Sequence, residues 1–172
     1  MMKLRKNNRG FTLVELIVST AILSIVAVAA SAFMVAGTRT YSSVNYTVRL
    51  QYEAQIAMAQ LQEYTVDCTD GIAWDGSTLY IVNGTDVHLF KFESAAQTLS
   101  YAKTVRADEL NVTSYDLAAE HITDMDVNLS EGQAEITLQM QRNGKTYSAT
   151  QLIAMRNRPV IETSWTGLEN KI

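Results

Sequence analysis

The sequence predicts an α+β fold: one long N-terminal helix, apolar in its first half and amphipathic in its second, packed on antiparallel β-meanders. Three observations predict it. No charged residue occurs from Leu16 to Thr38, apolar residues then recur at helical spacing from Leu50, and from Thr78 the spacing changes to two. At 172 residues and 47% hydrophobic content, the chain can supply one domain plus a membrane segment.

Residues 1–10 form a basic leader carrying Lys3, Arg5, Lys6 and Arg9. Positive charge directly before an apolar run is predicted to stay cytoplasmic and to send the C-terminal domain outward. Residues 11–36 make that run, about 39 Å as a helix at roughly 1.5 Å per residue, enough to cross a hydrocarbon core of about 30 Å with some tilt. Residues 37–68 continue the helix. The interval from Gly37 to Thr47 is rich in poor helix formers, but Val44, Val48, Tyr52 and Ile56 keep a spacing of four. A second line, Leu50, Ala54, Ala57, Leu61, Tyr64 and Cys68, gives an apolar stripe among Gln and Glu. One helix is thus expected from about Phe11 to Tyr64, weakest at residues 37–47, with Asp70-Gly71 as its stop.

Residues 72–158 read as an antiparallel head. Strands are predicted at Thr78–Val82, Val87–Glu93 and Thr98–Tyr101, with a turn at Asn83-Gly84. Lys103 to Glu120 lacks pattern and reads as loop with a short turn of helix. Met125, Val127 and Leu129 alternate with polar residues, as do Ala134, Ile136, Leu138 and Met140, and Asn143-Gly144 turns the chain into a further strand, Thr146–Met155. Such alternation means one buried and one wet face, and the Leu50–Cys68 stripe is the long apolar surface available to cover it. Residues 159–172, after Pro159, read as an extended tail that frays.

Glu15 is the anomaly in the apolar run. An acid toward the centre of a spanning helix costs about 2.5–3.5 kcal/mol, less near its end, so a positive partner is expected. The surrounding residues, Gly10-Phe11-Thr12-Leu13-Val14-Glu15, resemble the class III signal of type IV prepilins and of the pseudopilins of type II secretion and competence systems. The resemblance implies cleavage between Gly10 and Phe11 by a prepilin peptidase, N-methylation of Phe11, and assembly of the apolar helices into a filament core. It implies as partners other pilins or pseudopilins, the peptidase, an inner-membrane assembly platform and, before assembly, membrane lipid. Cleavage would create an α-amine on Phe11 about one helical turn from Glu15. Pairing with that amine, in the same chain or a neighbour, would let Glu15 set register between subunits. Two meanders without a disulfide are more similar to a minor subunit than to a major pilin.

Other chemistry finds little support in the residues. Losing residues 1–10 removes four positive charges and no acid from a chain of formal charge −4, which argues against a general nucleic-acid grip. Cys68 is the single cysteine, so the disulfide that closes the C-terminal loop of many Gram-negative pilins is impossible here, and the thiol reads as a small core residue. His88 shares a strand face with Phe90 and Phe92 and reads as packed. Asp67, Asp70 and Asp75 cluster around Gly71 and are candidates for a calcium loop, although they lack EF-hand spacing and equally suit a helix stop and a turn. Phosphate loops, CxxC and G-x-S-x-G are absent from the sequence, so neither an enzyme nor a cofactor is expected. The rival reading is a secreted or membrane-anchored β-rich ligand-binding domain with an uncleaved anchor or a secretory signal cut at Ala30-Ser31-Ala32. Glu15 and the length of the apolar run weigh against that cut.

Overall fold

The computed structural model describes residues 10–106 and 110–172. The four leader cations therefore lie outside the described residues. Two compact units divide the chain, Met1–Val44 and Asn45–Ile172. Helix α1 (Leu13–Val66) contributes residues 13–44 to the first and 45–66 to the second.

In the first unit every described residue from 10 to 42 is exposed. Hydroxyl groups interrupt this apolar helix, and six of them bond to carbonyls of the preceding turn. Thr20 donates to the Ile17 carbonyl at 2.9 Å, Ser24 to that of Thr20 at 2.6 Å and Ser31 to that of Ala27 at 2.8 Å. Thr38, Thr40 and Ser42 do the same at 2.9–3.0 Å. Bonding to the preceding turn hides polar groups that would be costly in an apolar medium. The helix accordingly runs unbroken through residues 37–47, where the sequence places its weakest formers.

Among the described residues, the second unit pairs residues 45–66 of α1 with nine strands. These are β1 (Gly71–Trp74), β2 (Thr78–Asn83), β3 (Asp86–Glu93), β4 (Thr98–Val105), β5 (Asp116–Glu120), β6 (Ile122–Ser130), β7 (Gln133–Arg142), β8 (Lys145–Ala154) and β9 (Val160–Glu162), followed by α2 (Trp165–Glu169). They form a six-stranded sheet in the order β5-β4-β3-β2-β1-β9 and a three-stranded sheet β6-β7-β8. All pairings are antiparallel except β1 with β9. The expected cover is in place: Leu50, Ala54, Ala57, Met58 and Leu61 of α1 join Ile72, Leu79, Ile81, Phe90, Leu99, Ile136 and Leu138 in one core. Each large aliphatic side chain removed from water there contributes about 1.5–3 kcal/mol.

Four expectations need correcting. The helix stops at Val66, ahead of Asp70-Gly71, and Gly71 instead opens β1. Asn83 remains the last residue of β2, so only Gly84 of the predicted turn pair takes a positive φ, 63°. The unpatterned stretch contains sheet: β4 continues to Val105, and β5 follows at Asp116–Glu120, joined through a bulge at Leu99/Ser100. The tail is packed. β9 pairs with β1, and α2 buries Leu168 completely against Ala73, Val82, Val87, Leu89 and Ala102. The packing of the tail has a physical cause. The central strands of the six-stranded sheet are covered on both faces, so β3 buries Val87, His88, Leu89 and Phe90 in succession, and its second face requires a lid. The C-terminal residues provide that lid, with Trp165 tilted against Tyr80 at 5.8 Å and the Arg106 guanidinium donating to Ile172. A Cβ on Gly71 would run into Leu168 Cδ1, so a larger residue there would force the lid's Leu168 side chain to shift.

Candidate processing and assembly site at the start of the helix

The first turn of α1 is held by a reciprocal cap. Thr12 Oγ1 accepts the Glu15 amide at 3.2 Å, while Glu15 Oε2 accepts the Thr12 amide at 3.2 Å and the Thr12 hydroxyl at 3.1 Å. The Leu16 amide then donates to the Thr12 carbonyl at 3.2 Å, closing the first helical bond. This is a capping box, in which Thr and a Glu three residues later satisfy amides that a helix start leaves orphaned. A carboxylate there also meets the positive end of the helix dipole. The pattern Thr-x-x-Glu before an apolar run was legible in the sequence. Thr12 is nevertheless the residue that reasoning from charge alone passes over.

Gly10 and Phe11 precede the cap in the open. Phe11 is 82% exposed, and a Cβ added at Gly10 would meet nothing within 4 Å. Nothing inside the described chain demands glycine at position 10, so a demand for it would come from whatever grips the Gly10–Phe11 bond. Glu15 forms no ion pair among the described residues, and its carboxylate is occupied by Thr12. In the uncleaved chain the Phe11 nitrogen is an amide and offers no charge.

The three aspartates serve separate local structures. Asp67 pairs with Arg156 at 2.7 Å. Asp70 accepts the Thr69 hydroxyl at 2.5 Å and the Gly84 amide at 2.6 Å, and these bonds hold its carboxyl below the ordinary range. Asp75 folds the turn before β2, accepting the amides of Ser77 and Thr78 at 2.8 and 2.7 Å and the Tyr80 hydroxyl at 3.0 Å. Partial burial pushes its pKa up, but those bonds outweigh it and the net shift is downward. Among the described residues no group of three or more His, Cys, Asp or Glu is placed to hold a metal ion. His88 packs, stacked on Tyr64 at 4.3 Å with Nδ1 2.9 Å from the Tyr101 hydroxyl. Cys68 is fully buried, and burial pushes its thiol up to about 12, which leaves it unreactive as a nucleophile at neutral pH.

Helix α1 is long and apolar enough to cross a membrane. Its most apolar 18-residue stretch has a mean hydropathy of 2.4, and none of it is buried in the protein. Residues 5–31 match the family model described as the prokaryotic N-terminal methylation motif. No curated protein and no solved structure matches the chain. The open Gly10–Phe11 bond, the acid one turn into an exposed apolar helix and this match together support a type IV pilin or pseudopilin-family protein, anchored in a membrane by its N-terminal helix.

Proposed function

We propose that the chain is a minor pilin or pseudopilin, a structural subunit that primes or joins a type IV pilus, a competence pseudopilus or a type II secretion pseudopilus. The basic leader stays in the cytoplasm, the apolar helix spans the membrane, and the head lies outside. A prepilin peptidase cuts between Gly10 and Phe11 and Phe11 is N-methylated. The subunit then leaves lipid for a bundle of like helices on the assembly platform. Van der Waals packing holds that bundle, and Glu15 meets the Phe11 amine of a neighbour, since a paired charge is tolerated where an unpaired one is not.

The observation that supports this reading most is the bare Gly10–Phe11 bond immediately ahead of the Thr12–Glu15 cap. The cap also sharpens the test. Glu15→Ala removes both the charge and the cap, whereas Glu15→Gln removes only the charge, because glutamine serves at the same position of a capping box. Both variants are expected to be processed, and both to incorporate poorly into sheared filaments. Normal incorporation of Glu15→Gln would assign Glu15 to the cap alone. Gly10→Trp is expected to leave full-length precursor in the membrane.

A further inference from the structure

From Leu16 to Tyr52 the helix carries only two charges, Arg39 and Arg49. Arg39 stands just beyond the apolar run of residues 11–36. It is exposed, and among the described residues no acid and no carbonyl takes up its guanidinium. The hydroxyls around it are already occupied: Thr38, Thr40 and Ser42 donate to the carbonyls of Val35, Ala36 and Thr38. The guanidinium is therefore the strong donor at this level that reaches past the helix's own backbone. Tyr41, 75% exposed, follows two residues later, about 200° around the helix. A cation and an aromatic ring thus flank opposite sides of α1 at nearly one height.

Spacing along the helix decides what that guanidinium meets. α1 runs unbroken from Leu13 to Val66, so Glu15 and Arg39 lie about 36 Å apart along its axis at roughly 1.5 Å per residue. A hydrocarbon core is about 30 Å thick, and a bilayer with its headgroups about 40–45 Å. Residues 16–38 carry no charge. With that stretch filling the core, Glu15 and Arg39 fall in the two opposite headgroup layers. Sliding the helix either way draws one of the two charges into hydrocarbon, where it is costly. The pair therefore brackets the depth of the helix within a few ångströms.

Before any neighbouring subunit arrives, the anion present at the depth of Arg39 is the phosphodiester of a phospholipid. A planar guanidinium donates two parallel N–H bonds to such a group, and tyrosine favours the same layer. We propose that Arg39, with Tyr41 at the same level, binds the phosphate of a phospholipid in the leaflet facing the head domain. This contact fixes how deeply the helix sits until the subunit leaves lipid. The inference rests on the reading of residues 11–36 as a membrane span.

The test uses the full-length chain, carbon-13-labelled at the arginine Cζ, diluted into phosphatidylcholine vesicles. Solid-state NMR reads dephasing of those carbons by lipid phosphorus-31, which reports phosphate contact. Arg39→Gln is expected to remove one arginine's share of the dephased signal, and unchanged dephasing overturns the proposal. Depth is the second readout. Nitroxides are attached at Met34→Cys, Thr38→Cys and Ser42→Cys, while Cys68, fully buried, stays unlabelled. Oxygen is expected to reach the label at 34 and a water-soluble nickel chelate the label at 42, with the crossover near 38. In Arg39→Gln the crossover is expected to shift by about one helical turn, and a crossover that stays in place overturns the proposal as well. A nitroxide at Ser24→Cys separates the two readings. Chelate access there means that residues 11–36 do not span the bilayer, which removes both; oxygen access there without phosphate contact at Arg39 overturns the lipid site alone.

Discussion

The two parts of α1 place similar residues in opposite surroundings. Along residues 13–44 Leu, Ile and Val stay exposed, as at Leu23 (68%) and Val28 (71%), whereas along residues 45–66 Leu50, Ala54, Ala57 and Leu61 are sealed. Apolar surface costs free energy in water at about 25 cal/mol per Å², so the first part is stable only against lipid or protein. The second part is one wall of the head's core. The lesson is that a single helix carries two solvents' worth of specification, and the change falls where polar residues begin to alternate with the stripe.

Substitutions break this comparison in order of size. Leu61→Ala opens a cavity in the sealed stripe and is expected to lower head stability by about 2–5 kcal/mol. Leu23→Ala is expected to stay within about 0.5 kcal/mol, as exposed positions do. Denaturant titration of the detergent-solubilised protein, read at the head's tyrosines and tryptophans, measures both. Equal losses would mean that residues 13–44 are part of the head's cooperative unit. Leu168→Ala sharpens the account of the lid: it removes a fully buried side chain from the second face of the sheet. A loss of about 2 kcal/mol is expected, accompanied by proteolytic release of the C-terminal residues. A freely fraying tail would show neither.

What the residues announced and what they hid follow from burial. The alternation in β6 and β7 was readable because one face is wet, so Asp124, Asp126 and Glu135 mark every second position. β1 and the core of β3 lack that mark, being covered twice, and β9 with α2 becomes predictable only once the need for a second cover is known. β5 is edge strand with three of its five residues exposed, so neither alternation nor an apolar run announced it. At the helix start, Glu15 stands out by its charge in an apolar run, and Gly10 and Phe11 by their place in a prepilin-like signal. Thr12 required asking where the first amides find acceptors.

The smallest expected effects are pH-dependent. Burial, with a lesser push from Lys103, holds the His88 pKa below its ordinary value near 6.5. A lowered histidine stabilises fully above the unfolded pKa, and that share is lost as pH falls through it toward the native value. Asp75, also lowered, contributes above its ordinary value and loses that contribution as pH falls through the native one. Tm of the head should therefore decline in two steps on acidification, the first, setting in as pH falls below about 6.5, absent in His88→Phe. A single step in the parent protein would contradict the assignment to His88.

Where the mature chain begins decides between a processed pilin-like subunit and a simple anchored or secreted domain. Intact-mass and N-terminal peptide mass spectrometry of the protein purified from its own cells reads this directly. A chain starting at N-methylated Phe11 is the predicted result; a start at Met1, Met2, Phe33 or any other residue would contradict it.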